Sequence, residues 1–192
     1  MNTRDISKVL KNDHKASTVF QGVYSRDGFI NALRTAPLPL KGTFIFNTHR
    51  TLLPGEHWIC VICHGEYAEY FDSFGRHPGI YKIISELLRQ RFKTVLWNSE
   101  LLQNTSTTLC GDYCILFALL SARQWSMERY IEWLSMLGSS HQRGHLLRQL
   151  TISIYGKKSF SSYRTYRSAL EGCDAIHLSK VLTAQGARCD FD

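Results

Sequence analysis

The chain has 192 residues, enough for one domain with a sizeable core, and 44% of them are hydrophobic, which excludes a disordered chain. No apolar run approaches the roughly 18 residues of a membrane span, and the polar segment 1–15 lacks a signal-peptide core, so a soluble intracellular protein is expected. The formal net charge is +7 and the pI about 9.2, which favours acidic partners such as nucleic acid.

In chain order, a short helix is expected at Asp5–Lys11. Residues 17–42 read as loops punctuated by Gly22, Gly28, Pro37, Pro39 and Gly42. Thr43–Asn47 is a β-rich run. Trp58–Cys63 and Tyr67–Ser73 are two more, joined by a hairpin turn at His64-Gly65-Glu66. Ile80, Ile83, Ile84, Leu87, Leu88 and Phe92 keep helical spacing, so 79–92 is expected to be an amphipathic helix. A strand at Thr94–Asn98 follows, then a buried helix over Cys110–Arg123 carrying Ile115, Leu116, Leu119 and Leu120. Further helices are expected at Met127–Leu137 and Gly144–Ile154. This order implies an α+β fold, a small mixed β-sheet packed between helices. One domain, 1–192, is expected, with catalytic elements in 43–122 and a helical, basic part in 123–192.

Six residues in fixed order carry chemistry: His57-Trp58, Asp72, Gln103 and Cys110-Gly111. A cysteine, a histidine and a carboxylate are the parts of a thiol nucleophile with an oriented base. Cys110 stands at the start of a helical pattern, where the macrodipole favours thiolate. Gly111 lets a substrate carbonyl approach the backbone. His57 opens one strand and Asp72 ends the next, within reach across the hairpin. The Trp58 indole is expected to pack on the imidazolium. Gln103, seven residues before the cysteine, offers a side-chain amide to an oxyanion. Each residue taken singly has a structural explanation; the ordered set points to acyl transfer through a thioester.

The six cysteines (60, 63, 110, 114, 173 and 189) form no secreted framework, and most are expected to be free thiols. Cys60-Val-Ile-Cys63-His64 mimics a haem or metal motif. On a strand, however, residues 60 and 63 face opposite sides, so two core cysteines are expected, with no metal and no organic cofactor.

Charge is uneven. Residues 61–109 balance five basic against five acidic residues, whereas 141–168 hold six basic residues (Arg143, Arg148, Lys157, Lys158, Arg164 and Arg167) and no acid. Tyr155, Phe160, Tyr163 and Tyr166 lie among them. This pattern suits phosphate contact with base stacking, so DNA or RNA binding is expected there; a solvated face with core tyrosines is the alternative.

The blocks around the six residues resemble those of adenain, the adenovirus-type maturation protease, within the clan that includes proteases of SUMO- and ubiquitin-like modifiers. Phe20-Gln-Gly22-Val-Tyr24 with Arg26 is similar to its N-terminal segment. Asn47-Thr48, eight residues before His57-Trp58, is similar to its Asn-Thr…His-Trp block. Phe71-Asp72-Ser73-Phe74-Gly75 is similar to its Phe-Glu-Pro-Phe-Gly, and Gln103 to Cys110-Gly111-x-x-Cys114 keeps its spacing. The likeness spans about residues 5–122. It implies that Cys110 is the nucleophile, His57 the base, Asp72 its orienting acid and Gln103 part of the oxyanion hole. Asp72 departs from the adenain glutamate and matches the SUMO-protease side, so its strand must sit closer. The resemblance further implies a monomeric endopeptidase cutting viral precursors at glycine-containing sites, in the virion and host nucleus. DNA and a short viral peptide would be its activators. No cysteine lies between the helix at 79–92 and Gln103, where such a peptide would attach by disulfide. A modifier-deconjugating protease, an acyltransferase and a DNA-binding virion protein on an inactive protease fold are the other readings.

Overall fold

The computed structural model describes residues 2–155. Five strands form one mixed sheet in the order β1-β2-β3-β4-β5: Phe20–Tyr24, Leu40–Asn47, Trp58–Gly65, Tyr67–Phe71 and Thr94–Trp97. The central pairs β2–β3 and β3–β4 are antiparallel, and the edge strands β1 and β5 join in parallel. The α+β class and the sheet between helices are as the sequence implies.

Side chains alternate across the sheet. Trp58, Cys60 and Ile62 of β3 face one layer, made by α1 (Thr3–Asn12), α2 (Ala16–Val19), α5 (Cys110–Ser121), α6 (Met127–Met136) and α7 (Ser140–Tyr155). Ile59, Val61 and Cys63 face the other, made by α3 (Arg26–Thr35) and α4 (Lys82–Arg91). Cys60 and Cys63 therefore lie on opposite faces, as their spacing on a strand requires.

Helix α5 is the centre of the first layer. Residues 110–120 are all buried, the pattern of a helix hydrophobic on every side and enclosed by its neighbours. Tyr130, Trp133 and Leu134 of α6 and Leu146 and Leu147 of α7 complete the same cluster. The layer is also tied by a buried ion pair: Arg123, just past α5, donates to both oxygens of Asp13 at 3.2 and 2.7 Å. Among the described residues no helix is long and apolar enough to cross a membrane.

The expectation of loops over 17–42 is corrected. This stretch holds α2, β1, α3 and the start of β2. Gly22, with φ +146°, sits where the β1–β2 register shifts, so it marks a bulge and not a loop. Gly28 lies in the first turn of α3, where its N–H is capped by Ser25 Oγ. The turn at residues 78–80 is a separate 3-10 segment before α4.

Of the basic stretch, Lys157, Lys158, Arg164 and Arg167 lie outside the described residues, as do Phe160, Tyr163, Tyr166 and the side chains of Arg148 and Tyr155. The Arg143 guanidinium is engaged internally: it donates to the carbonyls of Leu102 (3.3 Å) and Gly138 (2.9 Å).

Candidate active site

His57 is delivered by the segment between β2 and β3. Asn47 Oδ1 accepts from the N–H groups of His49 (2.9 Å) and Glu56 (3.2 Å), closing the two ends of this loop. The Thr48 N–H donates to the His57 carbonyl at 2.9 Å, which extends the β2–β3 ladder to the histidine itself. His57 is buried, and so is Asp72, which follows the last residue of β4.

The His57 Nε2 donates to Asp72 Oδ1 at 2.7 Å. The closer approach that an aspartate requires is thus met. The same oxygen accepts the Phe74 N–H at 2.8 Å, so two donors fix the carboxylate. Asn98, just beyond β5, clamps the Asp72 backbone. Its Oδ1 accepts from the Asp72 N–H (2.9 Å) and its Nδ2 donates to the Asp72 carbonyl (2.7 Å). This amide–peptide pair does for a chain end what a ladder does inside a sheet. Gly75 completes the turn with φ +68°; a Cβ there would lie 2.6 Å from the Glu100 carbonyl oxygen, so a side chain is excluded.

The ring on the imidazole is not Trp58, as expected from sequence, but Phe74. It stacks at 4.6 Å between centroids with 24° between planes. The Arg76 guanidinium lies over the Phe74 ring, 4.7 Å from its centroid. Trp58 instead belongs to the cluster around α5, with Leu109, Cys110 and Cys114. The cause is the turn after β4, which folds Phe74 back over His57.

Cys110 is the first residue of α5, at the positive end of its dipole, and Gly111 follows it in the first turn. With Nε2 committed to Asp72, Nδ1 is the His57 nitrogen left for Cys110. Burial opposes the charged imidazole. The Asp72 hydrogen bond and the Cys110 sulfur outweigh it and raise the His57 pKa to about 9. The shift favours the imidazolium form at neutral pH. Burial pushes the thiols of Cys60 and Cys114 far up and that of Cys63 to about 12.

Gln103 is buried in the segment between β5 and α5. Its Oε1 accepts from Ser73 Oγ at 2.8 Å, and its Nε2 donates to the Thr107 carbonyl at 2.7 Å. The backbone N–H groups of Leu102 and Gln103 both donate to the Ser73 carbonyl at 3.0 Å. The turn carrying the acid and the segment carrying the amide are therefore one hydrogen-bonded unit.

The structure thus pairs His57 with Asp72 and binds Gln103 to the residue next to Asp72, while the Cys110 sulfur is near enough to act on the imidazole although Nδ1 makes no hydrogen bond. Sequence reasoning missed Asn98 and Phe74 and gave Ser73 no role. Asn98 stood at the end of an expected strand, where a polar side chain reads as solvated. A buried asparagine that pairs with a distant backbone leaves no local pattern.

No protein-family model matches the sequence, and no curated protein matches it. Solved structures do. The chain is similar to the ASFV pS273R protease, with 24% identity over 55% of this chain and 42% of that one, at a TM-score of 0.33. It thus spans less than half the length of that protease. It is similar to ChlaDub1 from Chlamydia trachomatis, with 15% identity over 83% of this chain and 95% of that one, at a TM-score of 0.51. The second likeness is one of fold: the same α+β arrangement over most of this chain.

Proposed function

We propose that the chain is a cysteine peptidase in which Cys110 attacks, His57 transfers the proton, Asp72 orients the imidazole and Gln103 helps to hold the oxyanion. The observation that carries this reading is the buried Asp72–His57 pair, whose free Nδ1 adjoins a cysteine at a helix N-terminus.

The Cys110 thiolate adds to the scissile carbonyl carbon, and the oxygen becomes an oxyanion. Gln103 Nε2 has a second hydrogen beyond the one given to Thr107, and the first turn of α5, which Cys110 opens, supplies backbone N–H groups not used within the helix. The His57 imidazolium then protonates the departing amine as the C–N bond breaks and a thioester forms. Neutral His57 takes a proton from water; the resulting attack releases the carboxylic acid and restores the thiolate.

For substrate, we favour polypeptide precursors cut at glycine-containing sites, supported by the adenain-like blocks at Asn47-Thr48 and Phe71–Gly75. Removal of ubiquitin-like tails is the second reading, supported by the fold shared with ChlaDub1 and by aspartate at position 72. Hydrolysis of glycine-containing peptides and of a ubiquitin C-terminal coumarin amide, compared side by side, separates the two. We also propose activation by DNA, supported by the acid-free sequence 141–168. Binding to duplex DNA that weakens steeply with salt is expected; binding indifferent to salt overturns it. The segment before Gln103 has no cysteine, so a peptide activator bound there forms no disulfide with it.

A further inference from the structure

We infer that Ser73 is a positioning residue for the oxyanion hole, acting through Gln103; this deepens the peptidase reading and rests on it. Ser73 is fully buried beside Asp72, yet its hydroxyl does not serve the acid. It donates to Gln103 Oε1 at 2.8 Å.

The direction of that bond follows from chemistry. The Thr107 carbonyl oxygen can only accept, so the Gln103 atom 2.7 Å from it is the nitrogen. The atom facing Ser73 is then the oxygen, and the hydroxyl must be the donor. Both ends of the amide are held, which fixes the torsion about its last carbon–carbon bond and aims the second Nε2 hydrogen. The Ser73 carbonyl meanwhile accepts the N–H groups of Leu102 and Gln103. Ser73 thus fixes the side chain of Gln103 by its hydroxyl and the backbone by its carbonyl. Only the hydroxyl is removed by Ser73→Ala, so the variant isolates the aim of the amide from the path of the chain.

The test uses the full chain as wild type, Ser73→Ala, Gln103→Ala and the double variant. Turnover of a fluorogenic peptide amide ending in Gly-Gly is measured beside the rate of iodoacetamide alkylation of Cys110. Alkylation needs the thiolate but no oxyanion hole. Ser73→Ala is expected to lower kcat at least about 10-fold, bounded by the roughly 10²–10³-fold of losing the donor itself. KM and alkylation stay within twofold of wild type. In the double variant Ser73→Ala adds nothing to Gln103→Ala, because it acts only through that amide. Equal losses on both backgrounds, or slowed alkylation, overturn the proposal.

A second readout is independent of turnover and, in wild type, of any variant. In the 15N-labelled chain the Gln103 side-chain amide rotates slowly and is protected from exchange; Ser73→Ala shifts its resonances and speeds both processes. A freely rotating amide in the wild type overturns the proposal. A held amide in a chain that cleaves none of the peptides sinks the peptidase reading instead.

Discussion

Nε2 of His57 and Oδ1 of Asp72 stand 2.7 Å apart with both side chains buried, and the same oxygen takes the Phe74 N–H. The carboxylate is thereby aimed before any substrate arrives. Asp72→Asn keeps the shape but removes the charge. We expect kcat to fall by up to about 10⁴-fold, the loss seen when the acid of such a triad becomes an amide, with an unchanged melting temperature to within a few degrees. A variant with wild-type turnover contradicts the role given to Asp72.

The raised His57 pKa fixes a pH limit. Imidazolium persists to about 9, held by Asp72 and Cys110 against the cost of burial. Cleavage is expected to decline above about pH 9, where His57 can no longer protonate the leaving amine. The same shift is a stability effect. It is fully present below the ordinary value of 6.5 and lost as pH rises through about 9. An NMR titration of His57 with an ordinary midpoint near 6.5 rules the arrangement out.

Thiol chemistry separates Cys110 from its neighbours. Burial strongly raises the pKa values of Cys60, Cys63 and Cys114, whereas Cys110, also buried, heads a helix beside His57. Limiting iodoacetamide followed by peptide mapping is expected to mark Cys110 first among these four. Earlier modification of Cys60, Cys63 or Cys114 points to another nucleophile.

Stability depends on the pair of Asp13 and Arg123, which joins the end of α1 to the end of α5. Burial alone would raise the Asp13 pKa; the Arg123 guanidinium and the Ala16 N–H more than offset it, so the value is lowered. Its contribution is present above the ordinary value of 3.8 and lost as pH falls through the lowered one. Arg123→Ala strands a buried carboxylate and is expected to cost about 3–5 kcal/mol in chemical denaturation. A loss below about 1 kcal/mol contradicts a buried pair and fits a surface one.

The strands and helices with unbroken apolar runs were legible in the sequence because burial and periodicity coincide in them. Trp58–Cys63 and the helix beginning at Cys110 are examples. The candidate set of His57, Asp72, Gln103 and Cys110 drew notice because its residue types are rare in that order, and the structure pairs two of its members, His57 and Asp72. Segment 17–42 was not legible, because its glycines serve a bulge and a helix's first turn. Ser25, followed by Asp27, Phe29 and Leu33, was the overlooked signal for a capped helix. The clamp of Asn98 on Asp72 and the bond of Ser73 to Gln103 span 26 and 30 positions. Contacts of that kind depend on how β4, β5 and the segment before α5 are brought together, and no local pattern encodes them. The partner stacked on His57 was misjudged for the same reason: adjacency in sequence favoured Trp58, while the turn at Ser73–Gly75 supplied Phe74.

The central claim is that Cys110 forms a thioester with help from His57. Its most direct test is hydrolysis of glycine-containing peptides by the full chain, with and without duplex DNA, beside Cys110→Ala and His57→Ala. Wild type is expected to cleave with an acyl-enzyme mass trapped on Cys110, and both variants to lose at least about 10³-fold in rate. Turnover by Cys110→Ala close to that of wild type contradicts the account.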